Sequence, residues 1–195
     1  MLRLLLWIVL GAPLAVLSYD YLRDGTLLFG EVYYGDYVHL TGRSAAWLML
    51  AALVATPLRL SFPGNAFARW YLAQRRYLGV ASFVYAAAHL GAYLAKQDWA
   101  RIAEDGVQTA FWTGWIAFVI FAALALTSND LSMRLLRRGW KNLHRLVHLA
   151  AILAFVHWAL TAFDPMLAYC HIAGLALLEA YRLFLTWRSR RRIAA

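Results

Sequence analysis

Charged side chains are scarce in this chain, 15% of 195 residues against 63% hydrophobic. An ordinary soluble domain carries about a quarter charged residues, so the composition excludes one and points to an integral membrane protein. Cysteine is almost missing. The single thiol, Cys170, excludes an intramolecular disulfide and any Cys-rich metal centre, and its place in an apolar run reads as a small buried hydrophobe. No G-x-G-x-x-G occurs and no stretch could fold as a soluble nucleotide-binding domain. Any reductant must therefore come from another molecule. Acids are rare inside the apolar runs apart from Glu179, and no repeat of helices stands out, which weighs against a proton or metal-ion transporter. That transporter is the reading from a different class.

The apolar runs fall at 4–19, 44–60, 77–95, 111–127, 146–163 and 166–187, each long enough to span a bilayer with ordinary tilt. They predict an all-α, polytopic bundle of six transmembrane helices forming one domain over residues 1–195. Met1, Leu2 and Arg3 open an apolar stretch that resembles a signal peptide, but no small-residue cleavage site precedes Ser18, so it reads as a retained first helix. The net charge of +9 is not a nucleic-acid footprint, because the cations cluster in the connectors and tail. Arg59, Arg69, Arg75 and Arg76 occupy one connector, five basic residues between Arg134 and Arg145 face Asp130 in another, and Arg188 to Arg192 form a basic tail. The other connectors carry Asp20, Asp24, Glu31 and Asp36, then Asp98, Glu104 and Asp105. With Arg3, this asymmetry puts both termini in the cytoplasm.

Three histidines, His89, His144 and His157, are the candidate ligands. His89 and His157 each stand 13 residues beyond a basic-end marker, Arg76 and His144, or roughly 20 Å of helix rise. They are thus matched in depth on two helices running the same way, toward the outer leaflet, and two such imidazoles could hold a six-coordinate haem. For either residue alone, a core histidine hydrogen-bonded across helices is about as good a reading. His144 lies toward the inner leaflet with no histidine opposite. It is offset from His157 by about 140° on an ideal helix, so the two share one seam only if that helix deforms. His148 is an alternative ligand or supporting partner. Arg75 and Arg76 could bind haem propionates or a phosphate-bearing cofactor, against a plain anchoring role. His39 and His171 lie near outer ends and read as interfacial, as do Trp47, Trp70, Trp99, Trp112, Trp115, Trp140 and Trp158. Glu179 and Arg182 read as an i,i+3 pair, with proton-coupled quinone chemistry as the functional alternative.

Five stretches carry a family resemblance: His39-Leu40-Thr41-Gly42-Arg43, Thr56-Pro57-Leu58-Arg59, Arg75-Arg76-Tyr77-Leu78-Gly79, His89-Leu90-Gly91-Ala92-Tyr93 and Trp140-Lys141-Asn142-Leu143-His144. With Leu126-Thr127-Ser128 and Val156-His157-Trp158 they cover a core of about 39–158. In this order they resemble the haem-binding membrane subunits of bacterial protein-methionine-sulfoxide reductases, the MsrQ family, within the ferric-reductase-like transmembrane group that includes NADPH oxidases. The resemblance implies b-type haem, one or two, on His89, His144 and His157, with FMN as a further cofactor. It also implies a multi-pass protein of the bacterial inner membrane that takes electrons from the quinone pool or a cytoplasmic flavin reductase. These go to a periplasmic molybdopterin-containing catalytic subunit that reduces methionine sulfoxide in oxidised proteins. A stand-alone ferric or quinone reductase of the same fold is the alternative. Arg75 and Arg76 stand where the two-haem oxidases carry a second histidine on their third helix.

Overall fold

A computed structural model describes residues 2–23 and 27–194. Asp24, and the side chains of Arg3, Arg190 and Arg192, which the charge pattern also uses, lie outside the described residues. The described chain forms the helices α1 (Leu2–Leu22), α2 (Tyr34–Ser61), α3 (Ala66–Lys96), α4 (Trp99–Gly106), α5 (Thr109–Leu126), α6 (Asp130–Leu136), α7 (Arg138–Arg145), α8 (Val147–Thr161) and α9 (Met166–Ala194). Six segments are long and apolar enough to cross a membrane, with α7 and α8 together making the fifth. The protein is an all-helical, multi-pass membrane bundle.

Most helices outrun the apolar stretches that foretold them. The connector expected from Arg59 to Arg76 shrinks to residues 62–65, because Asn65 caps α3 by accepting from the Ala68 N–H at 3.0 Å, and Arg69, Arg75 and Arg76 lie on α3 itself. Asp36 falls in the first turn of α2, where a carboxylate is favoured by the unpaired N–H groups. Asp98 caps α4 through the Arg101 N–H and Asn129 caps α6 through the Ser132 N–H, each at 2.8 Å. Asp20 is no connector residue. It ends α1 fully buried, accepting from the N–H groups of Leu27, Leu28 and Phe29 at 2.6, 3.0 and 2.7 Å, so its charge shapes a loop.

The bundle therefore has an acidic end, with Asp36, Asp98 and Glu104, and a basic end, with Arg69, Arg76 and Arg145. α2 packs along α3, and α5 along α8. Buried alanines such as Ala45, Ala52, Ala81, Ala117 and Ala150 let the backbones approach. Close packing of small residues holds transmembrane helices together where lipid removes the hydrophobic drive. Met49, Leu53, Ala151, Phe155 and Leu175 join α2, α8 and α9 in the main core. Large side chains such as Leu5, Ile8, Val119, Ile152 and Leu177 point outward, as a lipid-facing surface requires.

Two orientations differ from expectation, both on α9. Cys170 is exposed, not a buried hydrophobe. His171, one residue on and so turned by about 100°, is buried where an interfacial residue was expected. A helix apolar on every side has no polar stripe to reveal which face turns inward.

Candidate functional site

His89 on α3 and His157 on α8 meet across the bundle near its acidic end, their ring centroids 6.3 Å apart and their planes at 90°. Each ring is anchored the same way. His89 Nδ1 lies 2.8 Å from the Val38 carbonyl of α2, and His157 Nδ1 lies 2.6 Å from the Ala110 carbonyl of α5. A carbonyl can only accept, so both Nδ1 atoms carry the proton and, in the neutral rings, both Nε2 atoms are unprotonated; among the described residues neither Nε2 has a hydrogen-bond partner. Such a second-sphere bond fixes the tautomer and orientation of a ligating imidazole.

The helices opposite make room by the same device. A Cβ on Gly42 would stand 2.9 Å from His89 Nδ1, and one on Gly114 would stand 2.7 Å from His157 Nδ1. Gly42 is four residues after Val38, and Gly114 four after Ala110. One turn of helix thus offers both the gap and the acceptor. Each glycine follows a threonine whose hydroxyl turns back on its own helix, Thr41 to the Tyr37 carbonyl at 2.6 Å and Thr113 to the Thr109 carbonyl at 3.0 Å. The repeat in this chain is thus a repeat of one contact, which a search for repeated helices passes over.

A cavity of about 440 Å³ opens between the two rings, lined by His89, His157, Arg43, Trp115, Phe118 and Trp158 among others. Two imidazoles that ligate one iron from opposite sides stand about 6 Å apart, from metal–nitrogen bonds of about 2 Å and roughly 1 Å from each nitrogen to its ring centre. The observed spacing matches. With two neutral imidazoles and a largely apolar, aromatic lining, the residues present fit a haem, which His89 and His157 would hold.

In the wall of this cavity toward the acidic end, Asp105 is buried and takes bonds from Tyr93 OH at 2.8 Å and Arg101 Nε at 3.1 Å. This joins α4 to α3 at the cavity rim.

His144 lies elsewhere. Leu146 separates α7 from α8, so the helix expected to carry both His144 and His157 is broken between them, and His144 faces a second cavity of about 530 Å³ at the basic end. Its ring stacks on Trp140 at 3.9 Å, and its Nε2 is 3.1 Å from Thr127 Oγ1. Arg75 and Arg76 line this second cavity with Lys141, Arg145, His148 and Arg182. They are absent from the lining of the first. Arg76 is paired with Asp130 at 2.8 Å, whereas among the described residues Arg75 reaches only Thr56 Oγ1 at 3.4 Å. His148 Nδ1 sits 2.8 Å from Glu179, which also binds Arg182 at 2.7 Å, the i,i+3 pair that the sequence suggests.

The expected aromatic belt is modified at four positions, one of them Trp140, which lines the second cavity beside His144. Trp47 lies in the middle of α2 and packs edge-on against His171 at 4.4 Å, while Trp115 and Trp158 line the first cavity. His39 is exposed near the start of α2 at that cavity's mouth. His171 is caged by Trp47, Phe155 and Trp158, with Nδ1 on its own helix at the Leu167 carbonyl and Nε2 buried without a partner. A buried unpaired nitrogen costs stability. Replacing His171 by Phe should leave cofactor content unchanged and hold or raise thermal stability by about 1 kcal/mol, read as a melting shift in detergent. A loss of bound cofactor in that variant would make His171 a ligand.

Together with the six spans, the family that this chain matches makes it a transmembrane electron-transfer subunit. Residues 41–155 match the family described as ferric reductase like transmembrane component. A protein-methionine-sulfoxide reductase heme-binding subunit MsrQ from Xanthomonas campestris pv. campestris (strain B100) is 34% identical, over 94% of this chain and 86% of the relative. Those of Pectobacterium carotovorum subsp. carotovorum (strain PC1) and Salmonella arizonae are 32% and 34% identical, over 94% and 78% of this chain and 88% and 79% of the relatives. The chain belongs to the MsrQ family. No solved structure matches it.

Proposed function

We propose that this chain carries electrons across the bacterial inner membrane by way of a b-type haem held between His89 and His157. The observation that carries this reading is the pair of imidazoles 6.3 Å apart, each with Nδ1 tied to a helix carbonyl. Haem, when bound, supplies one-electron chemistry, and filled axial positions would leave no open site for oxygen. The protein's part is geometric. Val38 and Ala110 orient the two rings, Gly42 and Gly114 admit them, and Phe118, Trp115 and Trp158 exclude water.

The basic end is assigned to the cytoplasm by its arginines. The second cavity there, with Arg75, Arg76 and His144 around it, suits a further cofactor bearing negative charge, either the phosphate of FMN or the propionates of a second haem. Electrons would enter at this side from the quinone pool or a flavin reductase. They would leave at the acidic, periplasmic end to a molybdopterin-containing subunit that reduces methionine sulfoxide, in keeping with the relatives' names. No substrate chemistry belongs to this subunit. The test is a dithionite-reduced minus oxidised spectrum of the purified protein, with haem and protein quantified together. A sharp b-type band with near one haem per chain is expected, two would assign the basic-end cavity to haem as well, and none after expression with ample haem would overturn the reading.

A further inference from the structure

Arg43 lies nine residues into α2, about 13 Å of rise from its start, and lines the cavity between His89 and His157. Every other arginine near that cavity has a partner, since Arg101 is held by Asp105 at 3.1 Å. Among the described residues, the Arg43 side chain makes no hydrogen bond and no ion pair. An arginine inside a membrane span is costly unless an anion meets it, and no protein carboxylate does so here.

Its position follows from the repeated contact. Arg43 comes directly after Gly42, and Trp115 directly after Gly114, so equivalent places on the two sides of the cavity carry a guanidinium and an indole. A ligand filling the cavity therefore meets one cationic edge and one aromatic edge. A porphyrin with two propionates has just that asymmetry, and a guanidinium binds carboxylate through two parallel N–H donors.

We propose that Arg43 binds a propionate of the haem seated between His89 and His157, fixing which way round the macrocycle sits and raising its reduction potential. This rests on the haem reading above. Arg75 and Arg76, which face the other cavity, leave this task open. The added charge acts on the potential because a guanidinium beside the propionate offsets the negative charge that otherwise favours the ferric state.

The test loads apoprotein with haem b or with its dimethyl ester, whose masked propionates carry no charge, and measures affinity by absorbance titration and midpoint potential by redox titration. Arg43→Gln should bind haem b roughly tenfold more weakly than wild type or worse, with a lower midpoint potential, while Arg43→Lys stays nearer wild type. With the ester, wild type and Arg43→Gln should coincide. If Arg43→Gln fails to accumulate, wild type alone decides, since it should prefer haem b to the ester. Equal binding of the two porphyrins by wild type, or a deficit in Arg43→Gln that persists with the ester, overturns the role of Arg43. Wild type taking up neither porphyrin overturns the haem reading itself.

Discussion

Alanine at His157 should bring haem content from near one per chain to below about a tenth, with no six-coordinate low-spin spectrum in what remains. Two losses combine. The iron forfeits one of the only two imidazoles positioned for it, and the truncation leaves a hole on α8 beside Phe111, whose ring faces His157 at 6.3 Å. Removal of a mere outer partner of a metal ligand costs roughly 10–100-fold in affinity, so removal of the ligand itself exceeds that. His89→Ala should behave alike. His144→Ala, in a different cavity, should retain the low-spin signal of this haem. Pyridine haemochrome quantification and low-temperature spectra of the three variants check the set, and full haem content in His89→Ala and His157→Ala together would remove the assignment.

A single methyl group at Gly114 should do nearly as much damage. Its Cβ would lie 2.7, 2.9 and 3.0 Å from three atoms of the His157 ring, and that ring cannot retreat without leaving the Ala110 carbonyl at 2.6 Å. Overpacking of this kind costs about 1–3 kcal/mol, and 1.4 kcal/mol is about tenfold in binding. Gly42→Ala meets His89 less closely, at 2.9, 3.2 and 3.8 Å, so its effect should be smaller. The expected order of haem affinity is wild type, then Gly42→Ala, then Gly114→Ala. The reverse order, measured by haem titration, would show that the rings are not seated by these glycines.

Much of this was legible in the residues. The six spans follow from composition and length, and the meeting of His89 with His157 follows from equal counts along two regular helices that run the same way. The 13-residue count works even across the Leu146 break, because Leu146 keeps right-handed helical angles. What could not be read was anything that depends on which face of an apolar helix turns inward, as with Cys170 and His171. The acidic connector was misjudged at Asp20 for another reason, since a lone carboxylate gives no sign that it serves three backbone N–H groups. Gly42 and Gly114 did leave a trace. Thr-Gly occurs at 41–42 and again at 113–114, followed by histidine 47 and 43 residues later, a signal found only by asking what each histidine must lean on.

The doubled Thr-Gly and histidine contact also bears on how the protein is put together. α2 with α3 forms one helical pair and α5 with α8 another, and each pair completes its own half of the grip, with ring, tether and gap, without help from its counterpart. Each half can thus take shape as soon as its two spans are in the bilayer, consistent with helices that insert first and associate later. Iron held as proposed between His89 and His157 would then rivet two finished halves together. A ligand that binds only the joined state stabilises it by mass action, so the junction of the two pairs, rather than either pair, should be where cofactor supply governs the protein's lifetime in the membrane.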